Sequence, residues 1–245
     1  MTEASIVVPI INEKKYILAT VNNINIAFGE KNISYEIIFV DDNSTDGSVE
    51  LIKKLSHQDS RIKLINHDKN EGLGSASIAG YKKAVGEIIM QIDGDLAQDV
   101  RDLILMREEL RTKNIDMVIG SRYMPGGSQL GKSLIRDWGS RSMNFIASFL
   151  LSIPFKDFTH TFRIFKRTLF LDLHLNLKEK GHPGFFIELT FWAIKKNYKI
   201  NEFPSSYKER EDGSAVSKIR ISREIPRFLK IVFLLFFNNL KSKNK

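Results

Sequence analysis

The stretch Ile88-Ile89-Met90-Gln91-Ile92-Asp93-Gly94-Asp95 decides the fold. Residues 88–92 are rich in β-branched side chains and too few for a helix, so they predict a buried strand. Ligands of a parallel α/β sheet bind beyond the carboxyl ends of its strands, which is where Asp93 and Asp95 follow. If the chain stays extended there, both carboxylates lie on one side of the backbone and suit a hard divalent cation that also holds a diphosphate. The alternative is an ordinary acidic turn, because Asp-Gly is a common turn pair.

Carboxylates also follow the first two predicted strands. A strand at 5–10 is followed by Glu13, and a strand at 35–40 is followed by Asp41 and Asp42. Because the carboxyl ends of parallel strands meet at one edge of a sheet, the three acidic strand ends together predict a cation or nucleotide site.

The alternation of elements predicts the fold class. Further strands are predicted at 61–65 and 116–120, helical patterns separate the strands, and Ser44 or Thr45 is predicted to cap the second helix. Strands that alternate with helices of about ten or more residues predict an α/β fold with a mostly parallel sheet and helices on both faces. We interpret residues 1–220 as one domain.

The composition limits the chemistry. The chain has 245 residues, of which 42% are hydrophobic, and this is enough for one large domain with its own core. There is no cysteine, so disulfides, thiol nucleophiles and thiolate zinc sites are excluded, which fits a cytosolic protein. The N-terminus lacks a basic start followed by an apolar run, so we expect no signal peptide.

Charge is spread unevenly along the chain. Residues 1–120 carry 14 basic and 19 acidic residues, whereas residues 121–245 carry 23 basic and 10 acidic ones. An acidic half beside a strongly basic half predicts a metal site next to an anionic partner, unless the protein comes from a generally basic proteome. The basic half has no nucleic-acid-binding motif and is interleaved with apolar residues, so we expect a membrane and no nucleic acid.

Two apolar stretches in the basic half predict contact with a membrane surface. Residues 138–155 and 225–240 are rich in aromatic and aliphatic side chains and have basic flanks. Each is shorter than the ~20 apolar residues of a spanning helix, so we expect amphipathic, interfacial helices at an anionic bilayer. Residues 221–245 are accordingly interpreted as a C-terminal segment for membrane-surface or subunit contact. The alternative for the first stretch is packing against the sheet.

These features resemble the family 2 glycosyltransferases, which have the GT-A (Rossmann-like) fold. The motifs that carry the resemblance are Val8-Pro9-Ile10-Ile11-Asn12-Glu13, Val40-Asp41-Asp42-Asn43-Ser44, Glu71-Gly72-Leu73-Gly74, Asp93-Gly94-Asp95 and Gly120-Ser121-Arg122-Tyr123. The element Asp157-Phe158-Thr159-His160-Thr161-Phe162-Arg163 and the basic stretch 208–218 further resemble dolichyl- and polyprenyl-phosphate mannosyl- and glucosyltransferases. The resemblance covers residues 4–235, nearly the whole chain.

The resemblance implies a nucleotide-sugar donor, GDP-mannose or UDP-glucose, and a metal. Asp93 and Asp95 would hold Mg²⁺ or Mn²⁺ on the donor diphosphate. Ala97 departs from the family pattern, in which a Gln can join the metal, so we expect water, donor oxygens or Gln98 to complete the metal shell. The implied donor contacts are Pro9, Ile11, Glu13, Val40, Asp42, Gly74, Asp93 and Gly94.

A polyprenyl or dolichyl phosphate acceptor explains the basic residues after these motifs. A phosphate oxygen is already anionic at neutral pH, so it attacks the anomeric carbon without the general base that a hydroxyl acceptor needs. Asp157 is the candidate base, or else it supports the metal site or orients Arg163. Candidate catalytic residues are Asp95, Asp157 and Arg122. Each basic residue alone would be a solvated charge, but as a set we expect them to bind the acceptor phosphate: Arg122, Arg136, Arg163, Arg210 and Lys218.

The sequence therefore predicts an inverting, metal-dependent hexosyltransferase that is peripheral on the cytoplasmic, inner face of the membrane. A membrane-protein partner or a second copy of the chain is a further candidate partner. One alternative is transfer to a saccharide hydroxyl in polysaccharide or glycan assembly. The other is a non-catalytic nucleotide- or membrane-binding module, which only Ala97 motivates.

Overall fold

The structure is a computed structural model that describes residues 1–131, 134–174, 177, 184–208 and 221–243, without the side chains of 134–136, 221–225 and 240–243. The strands are β1 (Ala4–Ile10), β2 (Tyr35–Asp41), β3 (Ile62–Asn66), β4 (Ile88–Gln91), β5 (Met117–Ser121), β6 (Ser128–Leu130), β7 (Arg163–Lys166), β8 (Ile200–Pro204) and β9 (Ser206–Lys208). The helices are α1 (Lys14–Gly29), α2 (Ser48–Gln58), α3 (Leu73–Lys83), α4 (Val100–Thr112), α5 (Leu134–Leu151), α6 (Arg167–Leu173), α7 (Phe185–Lys195) and α8 (Ile221–Lys243).

The main sheet has seven strands in the order β3-β2-β1-β4-β7-β5-β8. β1 pairs in parallel with β2 and β4, and β2 pairs in parallel with β3. β7 runs antiparallel between β4 and β5, which makes the sheet mostly parallel, as predicted. The sequence did not predict β7, because its four residues directly follow a loop and carry no strand-end signal. β6 and β9 form a separate parallel pair beside the main sheet.

Helices cover both faces of the sheet, as predicted. Along β1, Ile6 and Val8 belong to the core that includes Leu103 of α4, whereas Val7 belongs to the core under α3 and α7. Central parallel strands are buried on both faces, which explains their continuous apolar sequence. α3 lies so close to the sheet that a Cβ at Gly80 would come within 2.3 Å of a methyl carbon of Val7.

The start of α2 differs from the prediction. The helix begins at Ser48, and the carboxylate of Asp46 accepts hydrogen bonds from the backbone N–H and the hydroxyl of Ser48. Ser44 and Thr45, the predicted caps, instead hydrogen-bond to Asn12 in the loop after β1. The prediction was wrong because Ser44 and Thr45 bind Asn12 and lie three or more residues before the start of the helix.

α5 and α8 pack against each other, and each of them exposes apolar side chains. The buried side of α8, with Phe228, Val232 and Leu235, joins the core next to α5 and α7. Both helices also have exposed aromatic and aliphatic side chains, which we together call the aromatic surface: Trp138, Phe145, Ile146, Phe149, Phe233, Leu234 and Phe237. Within the described part of the chain, neither these helices nor any other is long and apolar enough to cross a membrane.

Candidate active site

The predicted acidic strand ends lie next to one another. β2, β1 and β4 are neighbours in the sheet, and their carboxyl ends lead to Asp41 and Asp42, to Glu13, and to Asp93 and Asp95 respectively. The backbone N–H of Asp42 donates to the carbonyl of Ile10 at 2.9 Å, so the pairing of β1 and β2 continues to the edge. The three ends therefore form the single acidic edge that the sequence predicted.

The loops after β1 and β2 are joined by hydrogen bonds around Asn12. The backbone N–H of Asn12 donates to Ser44 Oγ at 2.8 Å, and the backbone N–H of Thr45 donates to Asn12 Oδ1 at 2.7 Å. Asn12 has a φ of 54°, a left-handed conformation that Asn tolerates better than most residues. These bonds fix the first loop, which carries the implied nucleotide contacts Ile11 and Glu13, against the second loop, which carries Asp42.

Asp42 binds the turn that precedes α3. Its carboxylate accepts hydrogen bonds from the backbone N–H groups of Glu71 and Gly72, each at 2.8 Å, and from His67 Nδ1 at 3.0 Å. Gly72 has a φ of 89°, which an L side chain would strain, so this turn requires its glycine. The geometry gives Asp42 a structural role in shaping the edge besides the donor contact implied by the family resemblance.

Asp93 is oriented by residues on both sides of it. Thr161 Oγ1 donates to Asp93 Oδ1 at 2.9 Å, and Gln98 Nε2 donates to Asp93 Oδ2 at 2.7 Å. The Asp93 backbone N–H donates in turn to Gln98 Oε1 at 3.1 Å, so both polar atoms of Gln98 are used on Asp93. The backbone N–H of Ala97 donates to Asp95 Oδ1 at 3.1 Å, which folds the loop back on itself. A Cβ at Gly94 would lie 2.5 Å from Ile10 Cγ2, so this loop also needs its glycine.

The Asp93–Asp95 pair fits a divalent cation. Burial, together with the charge of Asp95, raises the pKa of Asp93 above its usual range, and a cation would relieve this repulsion. Thr161 and Gln98 supply the kind of outer contacts that orient ligating carboxylates. Within the described residues, no group of three or more His, Asp or Glu side chains could hold a metal. Two carboxylates, with the remaining ligands from elsewhere, suit Mg²⁺ or Mn²⁺ bound together with a phosphorylated substrate.

Arg122, just after β5, forms a buried ion pair with Asp157. Arg122 Nε donates to Asp157 Oδ2 at 2.7 Å, Nη2 donates to Oδ1 at 2.8 Å, and the backbone N–H donates to Oδ2 at 3.0 Å. Asp157 is fully buried, and its own N–H donates to Glu202 of β8. Burial alone would raise the pKa of Asp157, but the Arg122 guanidinium holds it below its usual range. Asp157 is thus an ionised carboxylate that fixes Arg122.

Arg163 lies in the core, away from any solvent-facing phosphate site. Its side chain is fully buried, and its guanidinium donates to the carbonyls of Phe158 and His160 and, at 3.3 Å, to Thr190 Oγ1. Burial lowers the pKa of Arg163 to about 10, so it remains charged at neutral pH. This placement contradicts the expectation that Arg163 binds the acceptor phosphate in this conformation, because its donors are aimed at the chain's own oxygens. It also leaves Asp157 bound to Arg122, and not to Arg163.

The other predicted residues fall into two groups. Val40 and Gly74 are buried, with Val40 packed close to Gly80 in the core, so the Val40 side chain does not line the edge. Pro9 is buried within β1, at the point where the strand meets the edge. Arg210 and Lys218 lie outside the described residues, as does the side chain of Arg136.

Two residues that orient site groups were missed in the sequence. Thr161 binds Asp93, whereas the hydroxyl of Thr159, two residues earlier in the same element, accepts from Asn144 of α5. Glu202 accepts from the N–H groups of Lys156 and Asp157, each at 2.9 Å. Neither contact leaves a local signal, because the partners are 68 and 45 residues apart.

Paired carboxylates at the carboxyl ends of a mostly parallel sheet suit a divalent cation that is bound together with a phosphorylated substrate. The profile of glycosyl transferase family 2 matches residues 5–173. The chain therefore belongs to glycosyl transferase family 2, as the motifs predicted.

Two curated relatives match the predicted polyprenyl-phosphate branch. Dodecaprenyl-phosphate galacturonate synthase of Rhizobium johnstonii is 26% identical over 242 residues, covering 98% of this chain and 69% of the relative. Polyprenol monophosphomannose synthase of Mycolicibacterium smegmatis is 27% identical over 224 residues, covering 87% of this chain and 80% of the relative. These two relatives differ in the sugar that their names give.

Solved structures confirm the fold. S. aureus TarS in complex with UDP-GlcNAc gives a TM-score of 0.63 at 19% identity, and the match covers 96% of this chain but 65% of the TarS chain, just under two thirds. Glucosyl-3-phosphoglycerate synthase from Mycobacterium tuberculosis, in complex with Mn²⁺, UDP and phosphoglyceric acid, gives 0.64 at 16% identity, covering 94% and 78%. At these identities the likeness shows the fold alone.

Proposed function

We propose that this enzyme transfers a hexose, mannose or glucose, from a nucleotide sugar to a polyprenyl phosphate with inversion at the anomeric carbon. The names of both curated relatives specify a polyprenyl or polyprenol phosphate product, which supports the class of acceptor. Because one relative is named for galacturonate and the other for mannose, the sugar is the least supported element of the proposal.

The state of Asp157 is the observation that carries the choice of acceptor. Transfer to a hydroxyl needs a base that can take a proton, and Asp157 was the candidate for that role. In the structure Asp157 is fully buried, accepts three hydrogen bonds from Arg122 and has a lowered pKa, so it is a poor proton acceptor. A phosphate acceptor needs no base because its oxygen is already ionised at neutral pH. The geometry thus favours polyprenyl phosphate over a saccharide hydroxyl.

Asp93 and Asp95 would hold Mg²⁺ or Mn²⁺ against the diphosphate of the donor. When bound, the cation would neutralise the charge that develops on the departing nucleoside diphosphate. The Mn²⁺–UDP complex of the structural neighbour supports this use of a divalent metal. Because Gln98 is already bound to Asp93, we propose that water and donor oxygens complete the metal shell.

Arg122 and the aromatic surface would bind the acceptor side. Arg122 stays charged because Asp157 raises its pKa against the opposing effect of burial, and it would balance the charge of an approaching phosphate. The aromatic surface, with Trp138 71% and Phe149 78% exposed, would rest on the inner face of a bilayer that carries the lipid. Exposed Arg227 and Lys230 on α8 suit an anionic leaflet.

Incubation of the purified protein with radiolabelled GDP-mannose or UDP-glucose, Mn²⁺ and polyprenyl phosphate tests this proposal. We expect label in an organic-extractable product that mild acid cleaves. Label that enters a saccharide polymer and never the lipid would contradict the proposal and support the hydroxyl-acceptor alternative.

A further inference from the structure

The segment 157–163, which we call the linking loop, contacts both halves of the site. Asp157 at its start binds Arg122 through three hydrogen bonds. Thr161 near its end donates to both carboxylate oxygens of Asp93, at 2.9 and 3.1 Å. Between them, His160 Nδ1 donates to the carbonyl of Gly120 at 3.0 Å, two residues before Arg122. One short segment therefore sets the position of a carboxylate on the donor side and of an arginine on the acceptor side.

Arg163 holds the linking loop from within the core. Its Nη2 donates to the carbonyls of Phe158 and His160, which lie between the two functional contacts. Its Nη1 donates to Thr190 Oγ1 and to the carbonyl of Phe186, both on α7, and the guanidinium lies 4.6 Å from the Phe186 ring centroid. Arg163 thereby fastens the loop to a helix that is buried along most of its length.

A buried charge is costly unless its hydrogen bonds are satisfied, so a core arginine that serves packing alone would be replaced at little loss by an apolar residue. Nη2 of Arg163 donates to two loop carbonyls while Nη1 donates to α7, and a lysine or an apolar side chain cannot bridge both in this forked geometry.

We propose that Arg163 is a positioning residue that sets Asp93 and Arg122 together, by fixing the linking loop that contacts both. The inference rests on the proposed function for the identities of the metal and acceptor. It assigns Arg163 no contact with either substrate.

The test compares Arg163→Lys with wild type in two binding measurements and one kinetic one. The affinity for Mn²⁺ in the presence of UDP or GDP is expected to fall about tenfold, as is typical when an outer contact of a metal ligand is lost. Hydrogen exchange at the Arg122 amide, which donates to Asp157, is expected to quicken relative to amides of β2. The KM for polyprenyl phosphate is expected to rise in parallel. Arg167→Lys, directly after β7, is the matched control. It should leave the Mn²⁺ affinity, the amide exchange and the acceptor KM unchanged.

Variants that remove a single contact separate the effect on Asp93 from the effect on Arg122. Thr161→Val should weaken Mn²⁺ binding while the Arg122 amide keeps its protection, because it removes the Asp93 contact alone. Thr190→Val keeps Arg163 and removes one of its hydrogen-bond acceptors on α7. Mn²⁺ affinity and exchange at the Arg122 amide should therefore change as in Arg163→Lys, by smaller amounts. This variant also serves if Arg163→Lys does not fold.

A rise in acceptor KM without any change in Mn²⁺ affinity or amide exchange would overturn the inference, since Arg163 would then act on the acceptor directly. A lower melting temperature with all three readouts unchanged would also overturn it. If wild type fails to glycosylate polyprenyl phosphate, the proposed function fails, and the inference is still decided by Mn²⁺ affinity and amide exchange.

Discussion

The two sides of the site that we propose for the donor and for the acceptor, called here the donor side and the acceptor side, are built in different ways. The donor-side carboxylates lie at or just beyond the carboxyl ends of three adjacent parallel strands, so the preceding strand places the backbone of each. On the acceptor side, Arg122 is held by Asp157, 35 residues further on, which is held in turn by Glu202, another 45 residues along. Strand ends place the donor-side backbone through local sequence, and Thr161 is the distant residue that orients Asp93 there. The acceptor side depends on contacts between distant segments throughout.

The largest effect is expected on the donor side, from Asp95→Asn. The change removes one of the two carboxylates that we propose hold the cation, and loss of such electrostatic stabilisation typically lowers kcat by about 10²–10³-fold. Transfer rates measured over a Mn²⁺ titration check this, with Asp68→Asn, an exposed carboxylate after β3, as the control. A wild-type kcat in Asp95→Asn at saturating donor would contradict the proposal that this carboxylate holds the cation.

Asp157→Asn is expected to have the largest effect on the acceptor side. It leaves the Arg122 charge buried without its partner, which costs about 3 kcal/mol of unfolding free energy at pH 7. Urea unfolding of wild type and variant measures this difference. Asp137→Asn, which breaks the more exposed pair with Arg141, is the control and should cost under about 1 kcal/mol.

The pH dependence of the Asp157 effect indicates which role the carboxylate has. A carboxyl whose pKa is lowered by folding contributes stability above its unfolded pKa, and this contribution is lost as the pH falls through the folded value. The difference between wild type and Asp157→Asn should therefore persist from pH 8 to pH 5 and shrink only below about pH 4. A difference that already shrinks between pH 7 and 5 would mean a raised pKa, as a general base would have.

Gly94→Ala tests how tightly the metal loop is packed on β1. The new methyl would lie 2.5 Å from Ile10 Cγ2, so the loop must shift, and we expect about a tenfold loss of Mn²⁺ affinity, as for other disturbed metal-ligand supports. Ile10→Ala removes that methyl, and the double variant should recover much of the Mn²⁺ affinity. Isothermal titration with Mn²⁺ and nucleotide gives the values. Equal losses in the single and double variants would show that the contact with Ile10 is not the cause.

The last prediction concerns binding to a membrane, outside the site itself, and tests the aromatic surface of α5 and α8. Phe149→Ser removes a strongly exposed aromatic group, and the loss of about 1.5–3 kcal/mol of apolar burial would weaken vesicle binding about tenfold or more. Sedimentation with vesicles that contain anionic phosphatidylglycerol measures this. Leu105→Ser, which replaces an apolar side chain at an exposed position of α4, is the control. Identical binding by both variants would mean that the aromatic surface does not face the lipid.

The sequence predicted the acidic edge, because strand periodicity and strand-end carboxylates are local patterns. It predicted Asp42, Asp93 and Asp95 on one edge, and the sheet order confirms that edge. It did not predict that Gly94 is required by Ile10, since that contact depends on how β1 and β4 pack.

The arrangement of the acceptor side was not predicted from the sequence. Arg163 looked like a phosphate ligand because a basic residue in a motif does not reveal which way its strand faces. The sequence does not tell whether Asp157 is a base, supports the metal site or orients Arg163, because its pairing with Arg122 depends on how two loops meet. Thr161 gave no signal, because its partner Asp93 lies on another strand, 68 residues away.

Transfer to polyprenyl phosphate, compared with transfer to the matching unphosphorylated polyprenol, tests the central claim most directly. The claim is that the acceptor supplies its own charge, so that Arg122 and Asp157 position it without removing a proton. We predict labelled product from the phosphate alone, with kcat/KM rising through about pH 6, the second pKa of a phosphate, and constant above it. Comparable transfer to the polyprenol would contradict the account, because it would require a base that Asp157 is not placed to be.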